Sequence, residues 1–108
     1  MSRSTANRGA EWKTLRFTHQ VQESISIALG SCGDPLLSSL SVESVDPAPD
    51  AGRLLVTVSF TVDPIPDPLK TLERLLAATG WLRGEIAGSI SRKRVPELTF
   101  RFSSEGRG

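Results

Sequence analysis

The sequence predicts an α+β fold, a two-layer sandwich with helices on one face of a three-stranded mixed sheet. Three observations carry this expectation. Leu54, Val56, Val58, Phe60 and Val62 alternate with Leu55, Thr57, Ser59 and Thr61, the period of a strand with one face in a core. Three further stretches place apolar residues at helical spacing. A second alternating run, Leu98, Phe100 and Phe102, follows the last of them, so helices and strands interleave in the order α-β-β-α-kink-α-β.

Taken in chain order, residues 1–14 are polar and aperiodic and are expected to form a flexible lead-in. A single domain over 15–104 and a short tail over 105–108 are expected to follow. Phe17, Val21, Ile25, Ala28 and Leu29 form one helical stripe, stopped by Gly30, Gly33 and Asp34-Pro35. Leu40 and Val42 alternate with polar neighbours, and Val45 breaks the phase, which predicts a bulge near the end of the first strand. Residues 46–52, rich in Pro, Asp and Gly, read as the turn into the long second strand.

Pro64 and Pro66 cannot donate to a ladder and end that strand's neighbourhood. Asp67 before Pro68 is a helix start: a capping side chain, then proline at the first helical position. Leu69, Leu72, Leu75 and Leu76 are expected to face the core from this helix. Gly80 interrupts the pattern, and Leu82, Ile86 and Ile90 resume it at i+4 spacing. Pro96 forces Val95 out of helical geometry and opens the last strand.

At 108 residues the chain suits one domain with one core. The lone Cys32 excludes an internal disulfide framework and a cysteine-rich zinc site. No run of about 18 apolar residues could span a membrane, and Met1–Gly9 lacks the apolar core of a secretory signal, so cytoplasm is the expected compartment. Net charge is only +1, but its distribution is uneven. Residues 1–33 carry +2, residues 34–73 carry −5 with seven anions against two cations, and residues 74–108 carry +4. That polarity points to an anionic partner touching one face.

Catalytic groupings are poor. His19, the one histidine, falls on the polar side of the first helix, and Cys32 has no histidine paired with it in sequence. Asp34, Asp46, Asp63 and Asp67 each precede proline, which is turn chemistry, and their spacing matches no calcium loop. No enzyme, cofactor, metal or small-molecule substrate is expected.

The run Ala78-Thr79-Gly80-Trp81-Leu82-Arg83, followed by Ser91-Arg92-Lys93-Arg94-Val95-Pro96-Glu97-Leu98-Thr99-Phe100, resembles the ribosome-binding factor A family, with weaker similarity from about Val21 to the end. The resemblance implies a type II KH-like fold in which Ala78 and Gly80 replace the glycine-rich GXXG loop of nucleic-acid-binding KH domains. It further implies a non-catalytic monomer that binds the small ribosomal subunit and its 16S rRNA and assists late maturation of the 30S subunit. A KH-like protein-interaction module is the alternative. Family members commonly place arginine directly before the valine of the first helix; here Gln20 precedes Val21, which removes a cation from that helix.

The candidate RNA-binding residues are Ala78, Thr79, Gly80, Arg83, Arg92, Lys93, Arg94 and Arg101. Gly80 is expected to hold a positive φ that alanine would strain, and to let RNA backbone approach closely. A glycine that merely ends one helix is the competing reading. The cations of Arg92-Lys93-Arg94 suit phosphate, and equally suit a helix C-terminus, where the dipole favours positive charge. Trp81 reads either as core packing or as a platform for an unpaired base.

Neutralising Arg92, Lys93 and Arg94 together is expected to weaken RNA binding without unfolding the domain. Three consecutive residues cannot share one helical face, so two phosphate contacts are expected. The slope of log affinity against log salt then falls by about 1.4–1.8. Filter binding over a salt series measures it, and an unchanged slope with unchanged affinity would show a merely solvated helix end.

Overall fold

The computed structural model describes the backbone of residues 2–48, 52–90 and 94–103, with side chains from residue 13 onward. Among these residues seven elements follow one another: α1 (Ser2–Ser31), α2 (Pro35–Ser38), β1 (Leu40–Pro47), β2 (Arg53–Phe60), α3 (Pro68–Ala77), α4 (Thr79–Ser89) and β3 (Glu97–Phe102). The strands form one sheet in the order β1-β2-β3, with β1 antiparallel and β3 parallel to β2. This is the expected two-layer α+β arrangement with a mixed sheet.

The stripe of α1 lies where its spacing placed it. Phe17, Val21, Ile25, Ala28 and Leu29 are buried, and they meet Val42, Val45, Leu54, Val56 and Val58 of the sheet in a single core. The helix itself begins at Ser2, well before the stripe and inside the segment read from sequence as a lead-in. Once a helix is nucleated by a packed stretch, each added residue gains a hydrogen bond without a new nucleation cost, so it extends past its apolar stripe.

α2 was not expected, although its signal was present. Asp34 caps it, accepting from the Leu36 amide at 2.9 Å, and Pro35 occupies its first position. Asp67-Pro68 opens α3 in the same way, with Leu69 N–H donating to Asp67 Oδ1 at 3.0 Å. Reading Asp34-Pro35 only as a stop missed that a stop and a start can share two residues.

β1 bulges as its broken phase implied, but in mid-strand and not near its end. The pairing with β2 slips between Val42 and Ser44, so Glu43 is the extra residue and Leu40, Val42 and Val45 all reach the core. β2 buries Leu54, Val56 and Val58, but it ends at Phe60. Val62, read as part of the core face, lies beyond the strand and is exposed.

The largest correction concerns α3. Its buried residues are Thr71 and Leu75, whereas Leu69 and Leu76 are exposed. The helix is rotated so that a threonine takes a core position, its hydroxyl donating to the Asp67 carbonyl at 2.8 Å. In α4, Leu82 and Ile86 are buried and Ile90 packs against the core, as expected. Trp81 is not core, because it is 43% exposed.

Asp34 also ties α2 to α3 by accepting from Arg74 Nη1 at 2.5 Å. Desolvation pushes the Asp34 carboxyl up, but hydrogen bonds from Arg74 and from backbone amides outweigh it and hold the group below its ordinary value of 3.8. A depressed folded-state value stabilises the fold above the unfolded-state value, and that stabilisation disappears as pH falls through the folded-state value. Asp34→Asn keeps a capping side chain and removes the charge. It is expected to cost at most about 1 kcal/mol at neutral pH, since Arg74 is half exposed. The difference from wild type should shrink from about pH 5 downward and close below the folded-state value. Urea unfolding from about pH 7 to about pH 2.5 measures it, and a pH-independent difference would remove the ion pair from the account.

Candidate nucleic-acid interface

The break between the two crossover helices sits at Ala78, not at Gly80. Ala78 has φ −90° and ψ 0°, closes α3 through its N–H to the Arg74 and Leu75 carbonyls, and caps α4 without a side-chain acceptor. Its carbonyl receives the first α4 bond, from the Leu82 N–H at 2.9 Å. Thr79 follows, half-buried, its hydroxyl donating back to the Leu75 carbonyl at 3.1 Å. The opening amides of a helix have no intrahelical acceptor, and the dipole there favours an anion.

Gly80 lies inside α4 on its exposed side, and the expected positive φ is absent; among the described glycines only Gly33 has one, at 82°. A Cβ added at Gly80 would meet nothing within 4 Å. Its contribution is open space at the first turn of α4, not an unusual backbone conformation. Gly84 and Gly88 repeat this at one-turn intervals and leave one face of α4 without side chains. The G-x3-G-x3-G spacing in the sequence is the signal of this bare face. Toward its far end this face borders a groove against α1 lined by Gln20, Glu23, Ser24, Ile27 and Glu85. Carboxylates beside Gly84 and Gly88 repel phosphate, so an anion is favoured at the Gly80 end.

The cationic run follows α4 in the chain, and Arg94 directly precedes the Val95–Pro96 segment that Arg83 holds. α4 has 11 residues, so about 16 Å separates its two ends. Arg94 is exposed, while Arg92 and Lys93 lie outside the described residues. Arg83 is half-buried, with Nε donating to the Pro96 carbonyl at 3.0 Å and Nη2 to the Val95 carbonyl at 2.8 Å.

Arg101 stands apart. Leu98, Phe100 and Phe102 turn to the helix side, so Arg101 lies on the opposite sheet face, with Nε donating to Thr57 Oγ1 at 2.9 Å. The structure therefore brings together Ala78, Thr79 and Gly80 at the start of α4, and sets Arg83, one turn further on, against the Val95–Pro96 segment that follows Arg94. It does not bring Arg101 to either. No cluster of three or more His, Cys, Asp or Glu able to hold a metal occurs among the described residues, and none of their helices is long and apolar enough to cross a membrane. Cys32 is half-buried, with Sγ close to the Leu29 carbonyl at 3.3 Å and the Asp34 amide at 3.4 Å.

A mixed three-stranded sheet backed by an α-α crossover broken at Ala-x-Gly defines a KH-like α+β domain without the GXXG loop. The crystal structure of ribosome-binding factor A from Thermus thermophilus superposes with a TM-score of 0.73, covering 82% of this chain and 93% of that one at 24% identity, which carries the fold. In sequence, the chain is 32% identical to ribosome-binding factor A of Koribacter versatilis over 93 residues, covering 85% of this chain and 75% of that protein. It is 28% identical to the Levilactobacillus brevis protein of the same name, covering 84% and 79%. The family model for ribosome-binding factor A matches residues 13–106, and the chain belongs to that family.

Gly80→Ala is expected to be tolerated and to raise stability by about 0.4–1 kcal/mol, because the backbone is already helical and the added methyl meets no neighbour. Thermal unfolding measures it. A loss of stability would restore the strained-glycine reading.

Proposed function

We propose that this protein is a non-catalytic assembly factor that binds the small ribosomal subunit and its 16S rRNA during late maturation of the 30S particle. The observation that carries the reading is family membership over residues 13–106. On this reading residues 15–104 form the working domain, acting as a monomer in the cytoplasm without cofactor. Binding selects a conformation of the RNA, and no bond is made or broken.

The proposed contact runs along α4. At its start, the amides of Thr79, Gly80 and Trp81 face an anion across a surface that Gly80 leaves open. From the segment that follows α4 in the chain, Arg94 and its sequence neighbours Arg92 and Lys93 supply charge. Exposed Trp81, next to the break, is placed to stack on an unpaired base. Arg101, on the far sheet face, belongs to this contact only if RNA wraps the domain.

Exposed Leu69 and Leu76 on α3 favour the second reading, a protein-interaction module. The two differ in salt response, since phosphate contacts give a linear fall of log affinity with log salt. On the RNA reading, tagged protein sediments with free or immature small subunits, in preference to translating ribosomes, and leaves them as salt rises. Protein confined to the top of the gradient at low as well as moderate salt would sink the assignment.

A further inference from the structure

Arg83 is not the free surface cation that its sequence context suggests. The sequence offers it as one more surface cation of a basic segment. In the structure it is half-buried on α4, and the Nε–Nη2 edge of its guanidinium reaches two consecutive carbonyls, those of Pro96 at 3.0 Å and Val95 at 2.8 Å. Residues 95 and 96 belong to neither helix nor strand, so no ladder supplies donors to those oxygens.

The same segment is held from its other side. The Glu97 N–H donates to the Gly52 carbonyl at 3.0 Å, Val95 packs against the core, and Pro96 is buried with its φ fixed by the ring. Arg94, exposed, is joined directly to this fixed stretch. The backbone that carries Arg94 is thus positioned by a planar fork anchored 11 residues earlier in the chain. A lysine would not hold that geometry, because its ammonium is a compact charge on a flexible stem and lacks the rigid planar fork.

We infer that Arg83 is a positioning residue for RNA binding: by bridging the Val95 and Pro96 carbonyls it fixes the direction of Arg94, and the phosphate contact is made by Arg94. This rests on the RNA-binding reading of the preceding subsection. It separates two arginines that the sequence presents as equivalent, and it assigns Arg83 a role that depends on the shape of its side chain as well as its charge.

The test is a double-mutant cycle on the full chain, with filter binding to in-vitro transcribed small-subunit ribosomal RNA over a salt series. Thermal unfolding of each preparation corrects for folded fraction. Arg94→Ala and Arg83→Ala should each weaken binding by about tenfold, the lower end for one charge-assisted contact. Each should also reduce the log–log salt slope by about 0.7–0.9, the value of one phosphate. Adding Arg83→Ala to Arg94→Ala should change affinity by less than about twofold and leave the slope where Arg94→Ala put it. Arg83→Lys should bind as weakly as Arg83→Ala, and it carries the comparison if the alanine variant folds poorly.

Additive losses in the double variant, with a second reduction in slope, would overturn the inference and make Arg83 a direct contact. Near-wild-type binding by Arg83→Lys would overturn it too, because charge alone would then suffice. A wild-type protein with no salt-dependent affinity for the RNA would instead remove the RNA-binding reading, and this inference with it.

Discussion

The parallel pairing of β2 with β3 is the constraint on which the rest of the molecule depends. Two strands that point the same way need a crossover that returns the chain from the end of the first to the start of the second. β2 has 8 residues, about 26 Å at ~3.3 Å each. The helical return from Pro68 to Ser89 has 22 residues, and as one straight helix it would measure about 33 Å. Breaking it at Ala78 gives two shorter rods that turn and still cover the sheet. Leu75 before the break and Leu82 and Ile86 after it are then fully buried.

That geometry fixes what the surface offers. The break puts the start of α4 at the surface with no capping side chain, and Gly80 keeps the space in front of it open. Rotation of α3 to deliver Thr71 and Leu75 to the core leaves Leu69 and Leu76 outside. α1 lies against α4, fastened by the Ser24–Ser89 hydroxyl pair at 2.8 Å, so one flank of the glycine-lined face is bordered by the carboxylates of Glu23 and Glu85. An anion approaching α4 meets carboxylates beside Gly84 and Gly88 and amide donors at the start of the helix. The proposed RNA contact follows from that distribution of charge.

The open face of the sheet is a different surface. Arg101 reaches Thr57, the Ser59 hydroxyl donates to Glu43, and Arg53 pairs with Glu97 at 3.4 Å. Short polar pairs across neighbouring strands satisfy one another there. An arginine so engaged, on the side away from α4, acts independently of Gly80 and Arg94.

The sequence by itself determined the order of the three long helices and three strands, the core stripes of α1, β2 and α4, and a bulge in β1. Each follows from spacing within one segment, and spacing is a property of the chain alone. The family signature from Ala78 to Phe100 was likewise legible, as residue types at fixed offsets. Only the tertiary structure decided which part of an apolar segment the core would cover. It put Thr71 inside and Leu69, Leu76 and Trp81 outside, and ended β2 before Val62. It also separated Arg83, Arg94 and Arg101, which look alike in sequence, into a clamp on two carbonyls, an exposed cation and a cap on the opposite sheet face. The physical reason is the same in each case. Periodicity reports which residues share a face of one element, whereas burial and hydrogen bonding depend on the element packed against it, often from a distant part of the chain.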